Sequence, residues 1–288
     1  MNKLKLKELL HAFFIEDIGE RDLTSNALFQ GNEKGKFTFL AKQSGIFCGE
    51  EVIRTGFHVI NDQIKVMLFV QDGERIEVGQ KLAEIHGEIS SLLMGERVIL
   101  NLIQRMSGIA TEANKAYQIL KESSTKACDT RKTTPGLRML EKYAVRCGGV
   151  SNHRYGLYDG VMIKDNHIDF MGGITKAITK AKEEVGHMVK IEVETSTKEE
   201  VLEAVAAGAD VIMFDNCTPQ QIQEYVKLVP ANIVTEASGG ITLETLHLYR
   251  NTGVNYISLG CLTHSAKALD ISAKVNFLEK KENIHEYA

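Results

Sequence analysis

The second half of the chain alternates short apolar runs with amphipathic segments, and this pattern restricts the fold most strongly. Six apolar runs have the length of strands, and they occupy residues 126–130, 160–165, 189–195, 210–215, 232–238 and 255–260. The segments with helical periodicity are 137–147, 173–185, 197–208, 219–229, 242–252 and 265–277. Because parallel neighbours need a helical crossover, the alternation predicts a parallel α/β sheet. No Gly-x-Gly-x-x-Gly follows the first run, so an incomplete α/β barrel is favoured over a Rossmann-like sheet.

The first third of the chain has a mixed pattern. Residues 3–14 and 90–121 have helical periodicity, whereas 37–47 and 64–70 resemble strands. This mixture predicts an α+β domain followed by a long connecting helix, with an interruption of that helix conceivable at Gly108. The charges interleaved with the first leucines are typical of an amphipathic helix and not of a signal peptide.

Composition narrows the class of protein. The chain has 288 residues and a formal net charge of −4, so its overall charge favours neither nucleic acid nor a membrane surface as a partner. An anion site therefore has to be a local basic cluster. The five cysteines are scattered and form no Cys-x-x-Cys pair, which argues against a disulfide framework and predicts reduced thiols in a cytoplasmic protein.

Polar residues follow every predicted strand at its carboxyl end, which is where α/β barrels place their active sites. We therefore predict that this rim carries the functional site. In chain order the rim residues are Arg131 and Lys132, Lys164 and Asp165, Glu194, Asp215, Ser238 and Gly260.

One sector of the predicted rim is basic. Guanidinium groups bind carboxylates through two hydrogen bonds and a lysine acts as a point charge, so several cations at one cavity suit a ligand with more than one negative group. Arg138 begins a predicted helix, and for this residue a solvated charge is the favoured interpretation. The sector comprises Arg131, Lys132, Arg138, His153, Arg154 and Lys164.

A second sector is acidic and contains Glu194 and Asp215. Two carboxylates on neighbouring strand ends can hold ribose hydroxyls, often through Mg²⁺. Either could instead cap the next helix, but Thr218 before Pro219 is the natural cap and leaves Asp215 available. Glu192 alternates with Glu194 along one strand and is a weaker third candidate.

The third sector is rich in small residues and hydroxyl groups, and comprises residues 236–241 and 260–265. Glycines let backbone amides approach an anion, and the last loops of a barrel commonly bind phosphate. Together the three sectors predict a cavity for a small polyanion, a ribose and a phosphate, but they do not name the acceptor.

The acceptor is suggested by a resemblance that runs through nearly the whole chain. The matching segments closely resemble the signature of quinolinate phosphoribosyltransferases. Arg21 departs from the family pattern, where a glycine is common, and affects only a local turn. The segments are 16–19, 22–24, 96–97, 100–101, 107–111, 129–138, 141–145, 148–149, 152–154, 163–167, Glu194, 215–216, 238–241 and 262–265.

This resemblance implies a fold and an assembly. Residues 1–112 would form an amino-terminal α+β sandwich with its connecting helix, and 113–267 an open α/β barrel. Residues 268–288 would form a helix that returns to the first domain. The subunits would pair as a homodimer in which Arg97 reaches the neighbouring site.

The resemblance also implies a reaction and roles. The enzyme would transfer a phosphoribosyl group from 5-phosphoribosyl 1-diphosphate to quinolinate with decarboxylation, giving nicotinate mononucleotide for NAD biosynthesis. Lys164, Glu194 and Asp215 would be catalytic; Lys164 or an ordered water would protonate the ring after CO₂ leaves. Quinolinate would be bound by Arg131, Lys132, His153, Arg154 and Lys164, ribose and Mg²⁺ by Glu194 and Asp215, and the 5′-phosphate by Ser238, Gly239, Gly260 and His264.

Two alternatives remain open at this point. A related phosphoribosyltransferase-like protein linked to molybdenum transport would share the fold, although the set of Arg131, His153, Arg154 and Lys164 fits a dicarboxylate better. A non-catalytic module that binds a phosphate ligand would not need the carboxylate pair opposite the cations.

Overall fold

The computed structural model describes residues 1–31 and 33–277, and the side chains as far as residue 275. The chain divides into two units. One contains Met1–Gly108 together with the chain from Lys267 onward, and the other contains Ile109–Ala266. None of the helices in the described residues is long and apolar enough to span a membrane.

The first unit is a mixed α/β structure that begins with the predicted helix. Asn2 caps this helix, because its Oδ1 accepts a hydrogen bond from the amide of Leu4 at 3.0 Å. Leu6, Leu10 and Phe14 recur every fourth residue and are buried. The elements are α1 (Lys3–Ile18), α2 (Leu23–Leu28), β1 (Lys34–Ala41), β2 (Gly45–Ile46), α3 (Glu50–Ile60), β3 (Lys65–Leu68), β4 (Arg75–Ile76), β5 (Lys81–Glu88) and α4 (Ile89–Leu120).

The connecting helix α4 is continuous through Gly108. A glycine is required there because a Cβ would lie 2.0 Å from the carbonyl oxygen of Lys267. The interruption considered from the sequence is therefore wrong; the glycine serves close packing of backbone against the helix.

The second unit contains the six predicted parallel strands. In the sheet they follow the order β6-β11-β10-β9-β8-β7, so each strand from β7 to β11 neighbours the next in sequence, and the last strand, β11, pairs with the first, β6. No ladder joins β6 to β7 in the described residues, and this gap confirms an open α/β barrel. The elements are β6 (Lys126–Cys128), α5 (Arg138–Cys147), β7 (Val161–Ile163), α6 (Asp165–Met171), α7 (Ile174–Glu184), β8 (Ile191–Thr195), α8 (Lys198–Ala207), β9 (Val211–Asp215), α9 (Pro219–Tyr225), β10 (Val234–Ser238), α10 (Leu246–Tyr249), β11 (Tyr256–Ser258) and α11 (Cys261–His264).

The final predicted helix, at 265–277, is wrong within the described residues. Ile271–Phe277 forms a strand, β12, which pairs antiparallel with β1 in a four-stranded sheet of order β12-β1-β5-β3. Ile271, Ala273 and Val275 alternate with polar residues, and this period of two suits a strand. The segment therefore joins the first unit as a strand, and the rest of the expected helix, 278–288, lies outside the described residues.

The helix expected at 242–252 is shortened to α10. The hydroxyl of Thr245 accepts a hydrogen bond from the amide of Thr242 at 3.0 Å, so a side chain replaces the first helical turn. Gly253, with φ at 85°, follows the segment in the left-handed region. This loop comes directly after the carboxyl end of β10, beside the predicted site.

Candidate active site

The carboxyl ends of the barrel strands surround one cavity of about 630 Å³. Residues on a strand alternate between two faces, so Glu192 and Glu194 share the inner face of β8. The same alternation places Met213 and Asp215 on the inner face of β9. The cavity collects many of the predicted residues: Arg131, Lys132, His153, Arg154, Lys164, Glu194, Asp215, Ser238 and Gly239.

Three predicted residues are not among those that line this cavity. Gly260 and His264 lie next to it in the last loop, because a Cβ on Gly260 would be 3.0 Å from Cδ of Lys132 and 3.3 Å from Nε2 of His264. Arg97 is an exposed residue of α4 in the other unit. The roles assigned to these residues stay predictions.

Lys164 and Glu194 form an ion pair across the mouth of the cavity. Burial raises the pKa of Glu194 and nearby Asp215 adds to the rise, while the hydrogen bond and charge of Lys164 oppose it. Asp215 accepts a hydrogen bond from Nδ2 of Asn216 at 2.7 Å. The two carboxylates thus repel each other within one hollow, and a cationic group between them would relieve that repulsion.

Arg131 and Arg154 supply the cationic wall. The Nε atom of each is buried and has no hydrogen-bond partner among the described residues. Nη1 of Arg154 donates to the carbonyl of Gly160 at 2.7 Å, which fixes the guanidinium plane. Burial, and then the charge of Arg131, lower the pKa of Arg154. Two half-buried arginines, each with an unused and buried Nε donor, are suited to bind carboxylates of a ligand.

Arg138 is more ordered than the sequence indicated. Its Nε donates to Oγ1 of Thr133 at 2.9 Å, and its Nη1 donates to the carbonyl of Tyr155 at 3.1 Å. Arg138 is half-buried and is not among the residues that line the cavity. Arg138 instead ties the loop that follows Arg131 to the loop that follows His153.

A buried network that sequence reasoning missed lies beneath the cations. Nζ of Lys142 donates to Oδ1 of Asp129 at 2.5 Å and to the carbonyl of His153 at 2.9 Å. Asp129 also accepts from the amide of His153 at 2.8 Å and from Nδ2 of Asn152 at 2.7 Å. The network therefore holds both the amide and the carbonyl of His153, and so fixes the backbone that carries its ring.

His153 faces two buried acids, of which the sequence indicated one weakly and the other not at all. Its Nε2 lies 3.0 Å from Oε2 of Glu192 and 3.5 Å from Oε2 of Glu236. Its Nδ1 accepts from the amide of Arg154 at 2.8 Å, which assigns the ring proton to Nε2. Burial lowers the pKa of His153, but both glutamates raise it and their effect prevails. The spacing of Glu236 from Ser238 was the available signal, since it repeats that of Glu192 from Glu194.

The turn after β10 requires a glycine. Gly239 has φ at 93°, and a Cβ on it would lie 2.6 Å from the backbone nitrogen of Asn216. Asn216, with φ at 55°, is itself left-handed, which asparagine tolerates better than most residues. The loops after β9 and β10 therefore approach backbone to backbone at the floor of the predicted phosphate sector.

Family models match both parts of the chain. The model for the carboxy-terminal domain of quinolinate phosphoribosyl transferase matches residues 109–274, and the model for the amino-terminal domain matches residues 22–107. Together they cover most of the chain.

Named relatives agree with these models. A probable nicotinate-nucleotide pyrophosphorylase (carboxylating) of Bacillus subtilis is 58% identical over 96% of this chain and 95% of its own length. A mitochondrial quinolinate phosphoribosyltransferase (decarboxylating) of Nicotiana glauca is 39% identical over 94% of this chain and 82% of its own. The crystal structure of NadC from Streptococcus pyogenes superposes with a TM-score of 0.93 at 38% identity, covering 97% of this chain and 99% of that one.

Proposed function

The chain belongs to the quinolinate phosphoribosyltransferase family, and we propose that its barrel cavity transfers a phosphoribosyl group to quinolinate and then releases CO₂. The products are nicotinate mononucleotide and diphosphate, so the enzyme is a pentosyltransferase of NAD biosynthesis. The alternatives linked to molybdenum transport or to ligand binding alone are not favoured, because the two relatives are named as a nicotinate-nucleotide pyrophosphorylase (carboxylating) and a quinolinate phosphoribosyltransferase (decarboxylating).

One observation carries the proposal for this cavity: two arginines with buried, unused Nε donors and a pair of carboxylates line the same hollow. Quinolinate has neighbouring carboxylates on ring carbons 2 and 3, and the first of them is next to the ring nitrogen. Arg131 and Arg154 would bind them, and the ring nitrogen would then face the anomeric carbon of the ribose. Such positioning supplies much of the rate of a two-substrate reaction.

The opposite wall would serve the sugar. Glu194 and Asp215 would hold the ribose hydroxyls and stabilise the positive charge that develops at the anomeric carbon as diphosphate leaves. Lys164, which pairs with Glu194, would exchange that partner for a substrate carboxylate and later offset negative charge on the ring as CO₂ departs. Ser238 and Gly239 would bind the 5′-phosphate with Gly260 and His264 close by.

We further propose Mg²⁺ as the cofactor. The residues fit this ion, since Glu194 and Asp215 offer carboxylate oxygens beside a phosphate-rich substrate and repel each other without a cation. Bound through the substrate, Mg²⁺ would balance the charge of the diphosphate leaving group. Cytoplasmic location is also a proposal, with which five free cysteines are compatible.

A homodimer with a shared site is the assembly we propose. Arg97 is exposed on α4 of the unit that does not contain the cavity, so a second copy could use it. The test mixes two inactive variants, Arg97→Ala and Lys164→Ala. If sites are shared, each mixed dimer has one complete site of its two. An equimolar, randomly paired mixture contains about half mixed dimers, so about a quarter of the wild-type activity should return in a symmetric two-subunit assembly. No recovery in proven mixed dimers would exclude the sharing.

The reaction itself is tested by following diphosphate and CO₂ release from quinolinate and 5-phosphoribosyl 1-diphosphate. Both products should appear in equal amounts and should depend on Mg²⁺. Nicotinate is the matched control, since it lacks the carboxylate next to nitrogen. Turnover of nicotinate without turnover of quinolinate would contradict the proposed substrate.

A further inference from the structure

A buried layer of acids lies one step below the rim of the cavity. Glu192 is two residues before Glu194 on β8, and Glu236 is two residues before Ser238 on β10. Because side chains alternate along a strand, each lower acid faces the barrel interior beneath its rim residue. Glu192 is 5% exposed and Glu236 is 4% exposed. Two acids this deeply buried need a reason, since isolated carboxylates are costly to desolvate.

The ring of His153 joins the two acids. Nε2 lies within 3.5 Å of one oxygen of each, while the other oxygen of each, Oε1, is buried without a hydrogen-bond partner among the described residues. A single ring proton cannot satisfy two ionised carboxylates. Both acids are accommodated when one of them is protonated and therefore neutral. The two acids and His153 together can thus hold one additional proton.

The two acids differ in what they face. A second cavity of about 520 Å³ reaches the first residues of the strands, including Val161, Val211 and Val234. Glu236 lines both this lower cavity and the upper cavity at the carboxyl ends. Glu192 lines only the lower one. Glu236 is therefore the acid through which a proton can pass from the lower cavity to the substrate.

We propose that Glu236 is the acid that protonates the ring after decarboxylation, and that it is reloaded with a proton from the lower cavity. This rests on the proposed function. The bond between ring carbon 2 and its carboxylate breaks, CO₂ leaves, and the electron pair stays on carbon 2. That carbon takes the proton of the Glu236 carboxyl, which becomes a carboxylate beside His153. Water in the lower cavity then returns one proton, which is the proton that the balanced reaction consumes.

The surroundings of Glu236 suit an acid that is protonated near neutral pH. Burial and then the charge of Glu192 on β8 raise the pKa of Glu236 to about 7, against the opposing effect of His153. Cys128 of β6, whose Sγ lies 3.9 Å from Oε2, and Ser258 of β11 face the same carboxyl. A general acid works best when its pKa is close to the working pH.

The experiment uses the full enzyme with both substrates and compares Glu236→Gln with Glu192→Gln. Both variants replace a buried acid that contacts His153 with its neutral isostere, but only the first removes the proposed donor. Rapid quenching measures diphosphate and nicotinate mononucleotide separately. Glu236→Gln should release diphosphate in the first turnover at the wild-type rate and form nicotinate mononucleotide about 100-fold more slowly, the scale of a lost general acid.

The pH profile distinguishes a donor from a structural residue. Wild-type nicotinate mononucleotide formation should fall as pH rises through about 7, the pKa of Glu236, and this fall should be absent in Glu236→Gln. Glu192→Gln should keep it but at lower pH, because removing that negative charge lowers the pKa of Glu236.

The outcomes separate this inference from the proposed function. Wild type that releases no diphosphate would contradict the function itself. Active wild type with unchanged nicotinate mononucleotide formation in Glu236→Gln would overturn the donor alone. Should Glu236→Gln release no diphosphate either, the pH profile of Glu192→Gln decides. A fall in nicotinate mononucleotide formation that occurs at lower pH than in wild type supports the donor, and a fall at the same pH overturns it.

Discussion

Two lysine–carboxylate pairs in the second unit show what distinguishes a supporting ion pair from a reactive one. Lys142 and Asp129 are both completely buried, at 0% exposure of each side chain. Lys164 is 44% exposed and its partner Glu194 is 15% exposed, and both line the cavity. The residue types are similar in the two pairs, but the surroundings differ.

The two pairs differ in whether their charged groups already make all the hydrogen bonds that they can form. Both oxygens of Asp129 already accept hydrogen bonds from Lys142, Asn152 or the amide of His153. The Lys164–Glu194 pair is open to solvent and can exchange partners. A saturated pair fixes backbone geometry, whereas an unsaturated one can respond to a ligand. We therefore expect the buried pair to position the site and the partly exposed pair to act in it.

The largest expected effect follows from breaking the buried pair. Lys142→Met leaves Asp129 charged and buried without its cation, and we expect the free energy of unfolding to fall by about 3–5 kcal/mol. Denaturant unfolding measures this loss. The double variant Lys142→Met/Asp129→Asn should recover part of it, because the stranded charge is gone. A single variant as stable as wild type would remove the distinction between the two pairs.

Breaking the exposed pair should instead damage catalysis. Lys164→Ala should reduce kcat by roughly 100- to 1000-fold, the scale of a lost electrostatic contact to the transition state, with a much smaller change in quinolinate affinity. Lys180→Ala is the matched control, because Lys180 pairs with Glu184 on the surface helix α7. Equal losses in kcat and in affinity would make Lys164 a binding residue only.

The sequence predicted the barrel well because hydrophobic periodicity is local information. All six strands occur where the apolar runs placed them. The error at 265–277 had a different cause. The segment follows the last barrel strand, where a crossover helix is expected, but the pairing partner of Ile271–Phe277 is β1, more than 200 residues away in the chain. A local sequence pattern cannot identify a strand partner so distant in the chain.

The site was predictable at the rim and much less so beneath it. Strand ends are visible in the sequence, so the sequence alone placed Arg131, Lys164 and Glu194 together. Lys142 sits in a predicted helix and Glu236 inside a predicted strand, where a charge is normally taken to be solvated or incidental. Only the three-dimensional packing shows that both are buried against His153.

Replacing a buried acid with its amide should change stability at pH 8 in opposite directions, depending on whether a lysine pairs with that acid. The pKa of Glu236 is raised from 4.5 to about 7 in the folded state. Its contribution to stability is therefore complete below pH 4.5 and is lost as pH rises through about 7. Glu236→Gln cannot ionise, so it should match wild type at about pH 4 and exceed it by up to about 3 kcal/mol at about pH 8, from 1.36 kcal/mol per pKa unit.

The matched control for that prediction is Asp129→Asn. It replaces another buried carboxylate with an amide but leaves the cation of Lys142 unpaired, so it should destabilise the protein at pH 8. Unfolding curves of both variants at the two pH values give the comparison. Loss of stability at pH 8 in Glu236→Gln would show that the carboxylate of Glu236 is a favourable partner of His153.

The smallest expected effect sharpens the comparison between the two pairs. A double-mutant cycle with Lys164→Ala and Glu194→Ala should give a coupling free energy of about 0–1 kcal/mol, since solvent reaches the ammonium group of the half-exposed Lys164 and screens the pair. The cycle formed by Lys142→Met and Asp129→Asn should give several times that value, because neither charge can be solvated once its partner is removed. Cycles of equal size would mean that burial does not separate the supporting pair from the catalytic one. A larger coupling for the buried pair, with activity lost only at Lys164, would show that the strongly coupled ion pair lies beneath the site. The weakly coupled pair, which can exchange partners, would then be the one within it.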